Sequence, residues 1–192
     1  MPAPRILVIP GSLRTGSHNA RLAALAAKEL ALLDADVTRI SLEDYELPLF
    51  DADLAGGAGP PAAAVKLKQA LTAHRGVFIT SSEYSASVTP LLKNAIDWVS
   101  RVRERNEPTY AAFKGRVFAL GSATSGGGGI RSLMALRQIL ELGCGALVIP
   151  EQVSVPRAEL AFDDMDNLKD EALAAALKTS LRRLIELAGM MS

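Results

Sequence analysis

The chain has 192 residues, 49% of them hydrophobic and 22% charged, which suits one globular domain (residues 1–192) with a sizeable core. Its 21 basic and 21 acidic side chains balance, so it lacks the field that draws nucleic-acid binders to phosphate or peripheral proteins to anionic lipid. The apolar run in "MPAPRILVIPG" is too short for a signal peptide or a span, and the single Cys144 excludes an intramolecular disulfide; a cytosolic protein is expected.

"RILVI" (Arg5 to Ile9) is a continuous apolar run of strand length, and "ARLAALAAKELALL" (Ala20 to Leu33) has the alanine and leucine content of a helix. "DVTRIS" (Asp36 to Ser41) alternates like a strand, and the segment through "LPLFDADLAGGAGPP" reads as loop. A helix is expected from Pro61 to Ala73, then a buried strand, "GVFIT" (Gly76 to Thr80). The next helix runs from Pro90 to Arg103, with Thr89 as N-cap and Pro90 in the first turn. "RVFALG" (Arg116 to Gly121) is a strand and Ile130 to Leu142 a helix. "ALVIP" (Ala146 to Pro150) is the last strand, and Asn167 to Ala188 the closing helix. Strands without a polar face, each followed by a helix, argue for a parallel sheet covered on both sides.

In such sheets ligands bind beyond the carboxyl ends of the strands, where strand order reverses. The segments there are "GSLRTGSHN" after the first strand, "SSEYSASVT" after the third and "SATSGGGG" after the fourth, all rich in Gly, Ser and Thr. The first suits one phosphate: helix-terminal amides, the hydroxyls of Ser12 and Ser17, and the forked donor Arg14. It lacks both the P-loop lysine and the second glycine of the dinucleotide fingerprint. The alternative is that Ser17 and Asn19 merely cap a helix and that Arg14 is a solvated charge. His18 and His74 are too isolated for a metal site, and Cys144 in "LGCGALV" reads as a small buried hydrophobe.

"GSLRTGSHN" resembles the G-S-x-R-x-x-S-x-N loop of the NADPH-dependent FMN reductase family, which includes quinone, azo-dye and chromate reductases. "EYSASVTPLLKNAIDWVSR" (Glu83 to Arg101) is similar to its P-E-Y-N-x-S-x-P-x-x-L-K-N-A-I-D-W signature, and "SGGGGIRSLMALRQIL" to its glycine-rich turn and following helix. The likeness runs from Arg5 to about Pro156. Ser82 stands where the family usually has proline, Ser85 where asparagine is frequent, and Thr89-Pro90 where Pro-Gly is usual.

The resemblance implies a flavodoxin-like three-layer α/β/α sandwich with a five-stranded parallel sheet in the order 2-1-3-4-5. It implies bound FMN, with NADPH or NADH as co-substrate. Ser12, Arg14, Ser17 and Asn19, with Thr15, Gly16 and His18 of the same loop, would hold the FMN phosphate. Ser82, Glu83, Tyr84 and Ser85 would meet the flavin ring, largely through backbone groups, and Ser87 and the turn at Ser122 would close the remaining side. No protein acid is needed, because the cofactor carries the hydride chemistry, so Glu83 has at most an orienting role. Lys93 and Asp97 are spaced for an ion pair on a helix, and Trp98 belongs to core or to a subunit interface. "RVRER" (Arg101 to Arg105) offers either a grip on the NADPH 2′-phosphate or a basic helix end.

The expected activity is hydride transfer from NAD(P)H through FMN to a quinone, azo compound, chromate or free flavin, by a ping-pong mechanism, in a homodimer or homotetramer. A flavodoxin-type electron carrier without nicotinamide chemistry is the alternative, and a balanced charge speaks against the acidic surface typical of such carriers. A regulatory domain that has lost the flavin is a third reading.

Overall fold

A computed structural model describes residues 3–191. Its sheet has the order β2-β1-β3-β4-β5, built from β1 (Arg5–Gly11), β2 (Asp36–Arg39), β3 (Gly76–Ser81), β4 (Val117–Ala123) and β5 (Leu147–Val155). All pairings are parallel, with Leu7 opposite Val77 and Phe78 opposite Ala119. This is the flavodoxin-like arrangement, with the topological reversal between β1 and β3.

Successive strand residues point to opposite faces, so each central strand feeds two cores. Leu7, Ile9, Val77, Ile79, Phe118 and Leu120 pack under α3 (Ala62–Thr72), α4 (Pro90–Arg101) and α5 (Ile130–Gln138). Ile6, Val8, Phe78, Val117 and Ala119 pack under α1 (His18–Leu32) and α7 (Glu171–Met190). Both faces of β1, β3 and β4 are therefore covered, and their side chains are apolar throughout this stretch.

Several boundaries differ from the sequence reading. Helix α1 begins at His18 because Ser17 caps it, accepting from the Ala20 amide. The segment read as loop contains α2 (Ala52–Gly57), nucleated by Asp51, whose carboxylate accepts from the Asp53 and Leu54 amides. Helix α4 stops at Arg101, and α5 passes into one π turn over Ile139–Gly143. Strand β5 does not end at Pro150 but continues to Val155. The ladder to β4 slips between Phe118 and Leu120, and the slip spans the proline, which has no N–H to donate. A short α6 (Ala158–Ala161) follows, and the closing helix starts at Glu171 rather than Asn167, capped by Asp170. Asn167 instead folds back on Asp163, whose carboxylate accepts from its amide at 2.8 Å.

Trp98 is core: it is fully buried, its Nε1 donates to the Pro48 carbonyl at 2.7 Å, and Phe50 meets it edge-on at 5.1 Å. Lys93 and Asp97 form the expected ion pair at 2.7 Å. Cys144 is buried, and burial pushes its thiol up to about 11, which leaves it without thiolate character. Among the described residues, no helix is long and apolar enough to cross a membrane.

Candidate functional site

The carboxyl ends of β1, β3 and β4 deliver three loops to one edge of the sheet. The first, residues 12–17, leaves Gly11, where a side chain would strike the Thr80 carbonyl at 2.6 Å, and turns through Gly16 at φ 67°. Leu13, Arg14, Thr15 and Gly16 are exposed, while Ser17 is buried as the α1 cap. Arg14 folds over its own loop, its guanidinium donating to the Thr15 and Gly16 carbonyls at 3.5 and 3.3 Å. The first-turn amides of α1 have no intrahelical acceptor, and they point into this loop with the positive end of the helix dipole. His18 opens the helix, and its Nδ1 is buried without a hydrogen-bond partner. Burial, then Arg14 and Arg21, push its pKa down against a weaker opposing pull from Glu159, so the ring is neutral at pH 7.

The second loop, residues 82–89, carries a miniature hairpin in which Tyr84 and Ser87 exchange both backbone hydrogen bonds at 3.0 Å. Its two central residues, Ser85 and Ala86, are left-handed at φ 49° and 61°. Tyr84, Ser85 and Ser87 are exposed. Glu83 turns away to α5: its carboxylate accepts from the Arg131 and Ser132 amides at 3.1 and 3.3 Å and pairs with the Arg131 guanidinium at 2.6 Å. Burial raises its pKa, but the Arg131 and Ser132 contacts together outweigh that and hold the carboxyl below its usual range. Glu83 is thus an anchored carboxylate.

In the third loop, residues 124–129, Gly128 and Gly129 are both left-handed, and a Cβ on either would run into the hydroxyl of Ser154 or Ser122 respectively. Gly126 and Gly127 have nothing within 4 Å of where a Cβ would stand, leaving their backbone approachable.

Asn19, at the start of α1, ties that helix to the end of β4 and to the second loop. Its Oδ1 accepts from the Ala123 amide at 3.0 Å, and its Nδ2 donates to the Ala123 carbonyl at 2.9 Å and to Ser82 Oγ at 3.0 Å. The carboxamide thus makes three bonds inside the fold. Ser122 is fully buried and donates to the Ser81 carbonyl at 2.7 Å. Sequence reasoning overlooked Ser132, whose hydroxyl donates to the Ser82 carbonyl at 2.9 Å and lies 2.7 Å from Ser81 Oγ. It also overlooked a second task of Thr89, which caps α4 as expected and in addition donates to the Gly11 carbonyl at 3.1 Å. Partners so far apart in the chain leave no local signal.

The result is a rigid seat of exposed amides and hydroxyls facing a helix N-terminus, suited to an anionic, planar, hydrogen-bonding ligand. A match to the family described as NADPH-dependent FMN reductase spans residues 4–159, enclosing all three loops. The chain belongs to the NADPH-dependent FMN reductase family. It is an oxidoreductase whose cofactor chemistry is that of FMN and NAD(P)H. It is 32% identical over 183 residues to the NAD(P)H-dependent FMN reductase of Pseudomonas aeruginosa, covering 94% of this chain and 92% of that one. It is 35% identical to the quinone reductase of Escherichia coli K12 over 138 residues, 71% of this chain and 69% of that one. Among solved structures, the flavoenzyme NAD(P)H:(acceptor) oxidoreductase of Paracoccus denitrificans superimposes with a TM-score of 0.78 at 24% identity, covering 98% of this chain and 99% of that one, and so shares the fold. The family match ends at residue 159, before α7, so the seat lies within it and the closing helix does not.

Proposed function

We propose that this FMN reductase passes a hydride from NAD(P)H through FMN to a quinone or similar small acceptor by a ping-pong mechanism. The observation that carries the reading is one buried asparagine that ties the start of α1 to the end of β4 and to the loop after β3, at the reversal point of the sheet. Bound FMN supplies the two-electron carrier, for a net exchange in which NAD(P)H, a proton and a quinone give NAD(P)+ and the hydroquinone.

The residues fit that group. Ser12, Arg14, Thr15 and Gly16, with the α1 amides behind Ser17, would hold the phosphate, and His18 Nδ1 offers an orphaned polar atom beside it. Ser82, Tyr84, Ser85 and Ser87 would meet the ring from one side, and the open backbone of Gly126 and Gly127 from the other. The protein's part is binding, orientation and exclusion of alternatives; with Glu83 anchored on Arg131, no side chain here is asked to move a proton. The reading extends to a homodimer or homotetramer in the cytosol, for which light scattering is the direct measurement.

The test is the visible spectrum of the FMN-supplemented, desalted protein, mixed with NADPH without oxygen. A flavin band that survives desalting and bleaches is the expected result. A band that survives and does not bleach makes the protein an electron carrier, and no retained flavin removes the reading.

A further inference from the structure

A second cleft of about 400 Å³ opens on the α4 side of the sheet, beside the loop seat. Leu13 of the first loop forms one wall, and Leu91, in the first turn of α4, another. Thr89 joins these walls by its bond to the Gly11 carbonyl, so the cleft and the seat share one rim. Tyr45 and Leu47, on the segment after β2, with Leu42 and Ala95, supply further apolar surface.

Its polar complement is one-sided. Glu43 and Glu46 both line the cleft, both are exposed, and neither has an ion-pair partner among the described residues. No cationic side chain lines it. Asn94 is spent on the segment below, accepting from the Phe50 amide at 2.7 Å and donating to the Pro48 carbonyl at 2.9 Å. Tyr45 is left as the uncommitted hydroxyl, and burial followed by Asp44 pushes its pKa up, so it stays protonated and able to donate to a carbonyl.

We infer that this cleft receives the ring of an uncharged, planar acceptor of the quinone class and that Glu43 and Glu46 turn anionic acceptors away. Apolar walls gain by covering a hydrocarbon ring. Two uncompensated carboxylates repel an oxyanion or a sulfonated ring but cost a neutral one little. The inference rests on the proposed function and narrows it: of the acceptors that function admits, neutral quinones are favoured over chromate and sulfonated azo compounds.

The experiment has two arms. In the first, the FMN-loaded protein turns over with NADPH and either menadione, which is neutral, or 1,2-naphthoquinone-4-sulfonate. The double change Glu43→Gln, Glu46→Gln is expected to raise kcat/KM for the sulfonate on the order of tenfold and leave menadione within about twofold. An unchanged ratio overturns the inference. In the second arm, oxidised FMN-loaded protein with labelled leucine methyls is titrated with menadione and no NADPH, and the signals of Leu13, Leu47 and Leu91 are expected to shift. Signals that ignore menadione but move with protein dilution assign the cleft to a second copy of the chain and overturn the inference. If NADPH does not reduce the flavin, the proposed function falls, while the titration still decides what the cleft binds.

Discussion

Ser85 and Ala86 are the residues at which the chain departs furthest from local preference, since two successive left-handed positions suit Asn-Gly rather than Ser-Ala. The structure thus gives a physical reason why asparagine suits position 85: its side chain tolerates this backbone. Left-handed non-glycine residues cost about 1–2 kcal/mol each, partly offset in glycine by the entropy of the unfolded chain. Ala86→Gly is expected to raise stability by about 0.5–1 kcal/mol, read by urea denaturation. An equal loss would mean that the Ala86 methyl makes a contact worth more than the strain. Arg14 makes the second prediction at this scale. It is exposed, it bonds only to its own loop, and its guanidinium is free to swing onto a phosphate. Arg14→Ala should weaken FMN binding by about 2–3 kcal/mol, the scale of charge-assisted bonds, while leaving the melting temperature of the flavin-free protein nearly unchanged. Flavin titration by fluorescence quenching measures it, and an unaltered affinity removes Arg14 from the phosphate seat.

Between elements, Asn19 acts as the fastener, since one side chain on α1 closes bonds to the end of β4 and to the loop after β3. Asn19→Ala strands the buried amide and carbonyl of Ala123, and each unsatisfied group costs about 1–3 kcal/mol. A destabilisation of about 3 kcal/mol is expected, together with loss of flavin retention, measured by chemical denaturation and by absorbance after desalting. The same asparagine marks the limit of what the sequence discloses. The strands and the three loops were legible, because apolar runs of strand length and Gly-Ser-Thr clusters are local signals, whereas the strand order came from the family resemblance and not from any local pattern. The bonds that Asn19 and Ser122 make inside the fold were not legible, because their partners lie 104 and 41 residues away. The continuation of β5 past Pro150 was hidden by a rule that holds for central strands and is relaxed on an edge strand at a register slip. Helix α2 was hidden by its Gly56-Gly57 pair and the Gly-Pro cluster that follows it, which the double cap from Asp51 overrides.

For the whole molecule, the titrating groups that the fold perturbs on its acid side all push in one direction. His74 is 4% exposed; its Nδ1 lies 2.7 Å from the Ala70 carbonyl, and its Nε2 is buried without a partner. Burial lowers its pKa, with the Ala70 bond and Asp36 pulling up and Arg5 and Arg116 adding to the fall. His18 is lowered too, chiefly by burial. A histidine lowered in the fold binds fewer protons folded than unfolded below its ordinary value of 6.5, so acid favours the unfolded chain. Glu107, held down first by its bond to Lys68 and then by the Glu104 amide, and Glu83, held down by Arg131 and Ser132 against its burial, extend the same sign below their ordinary value of 4.5. Stability is therefore expected to be flat between about pH 7 and 8, to fall as pH drops through 6.5, and to steepen below 4.5, each group contributing at most about 1.4 kcal/mol per pH unit. His74→Asn retains a donor for the Ala70 carbonyl and removes the titrating ring, so it should flatten the first part of that fall and leave the second untouched. Urea midpoints of both proteins across pH 4 to 8 measure this, and parallel curves between pH 6.5 and 5 would show that His74 carries no part of the acid sensitivity.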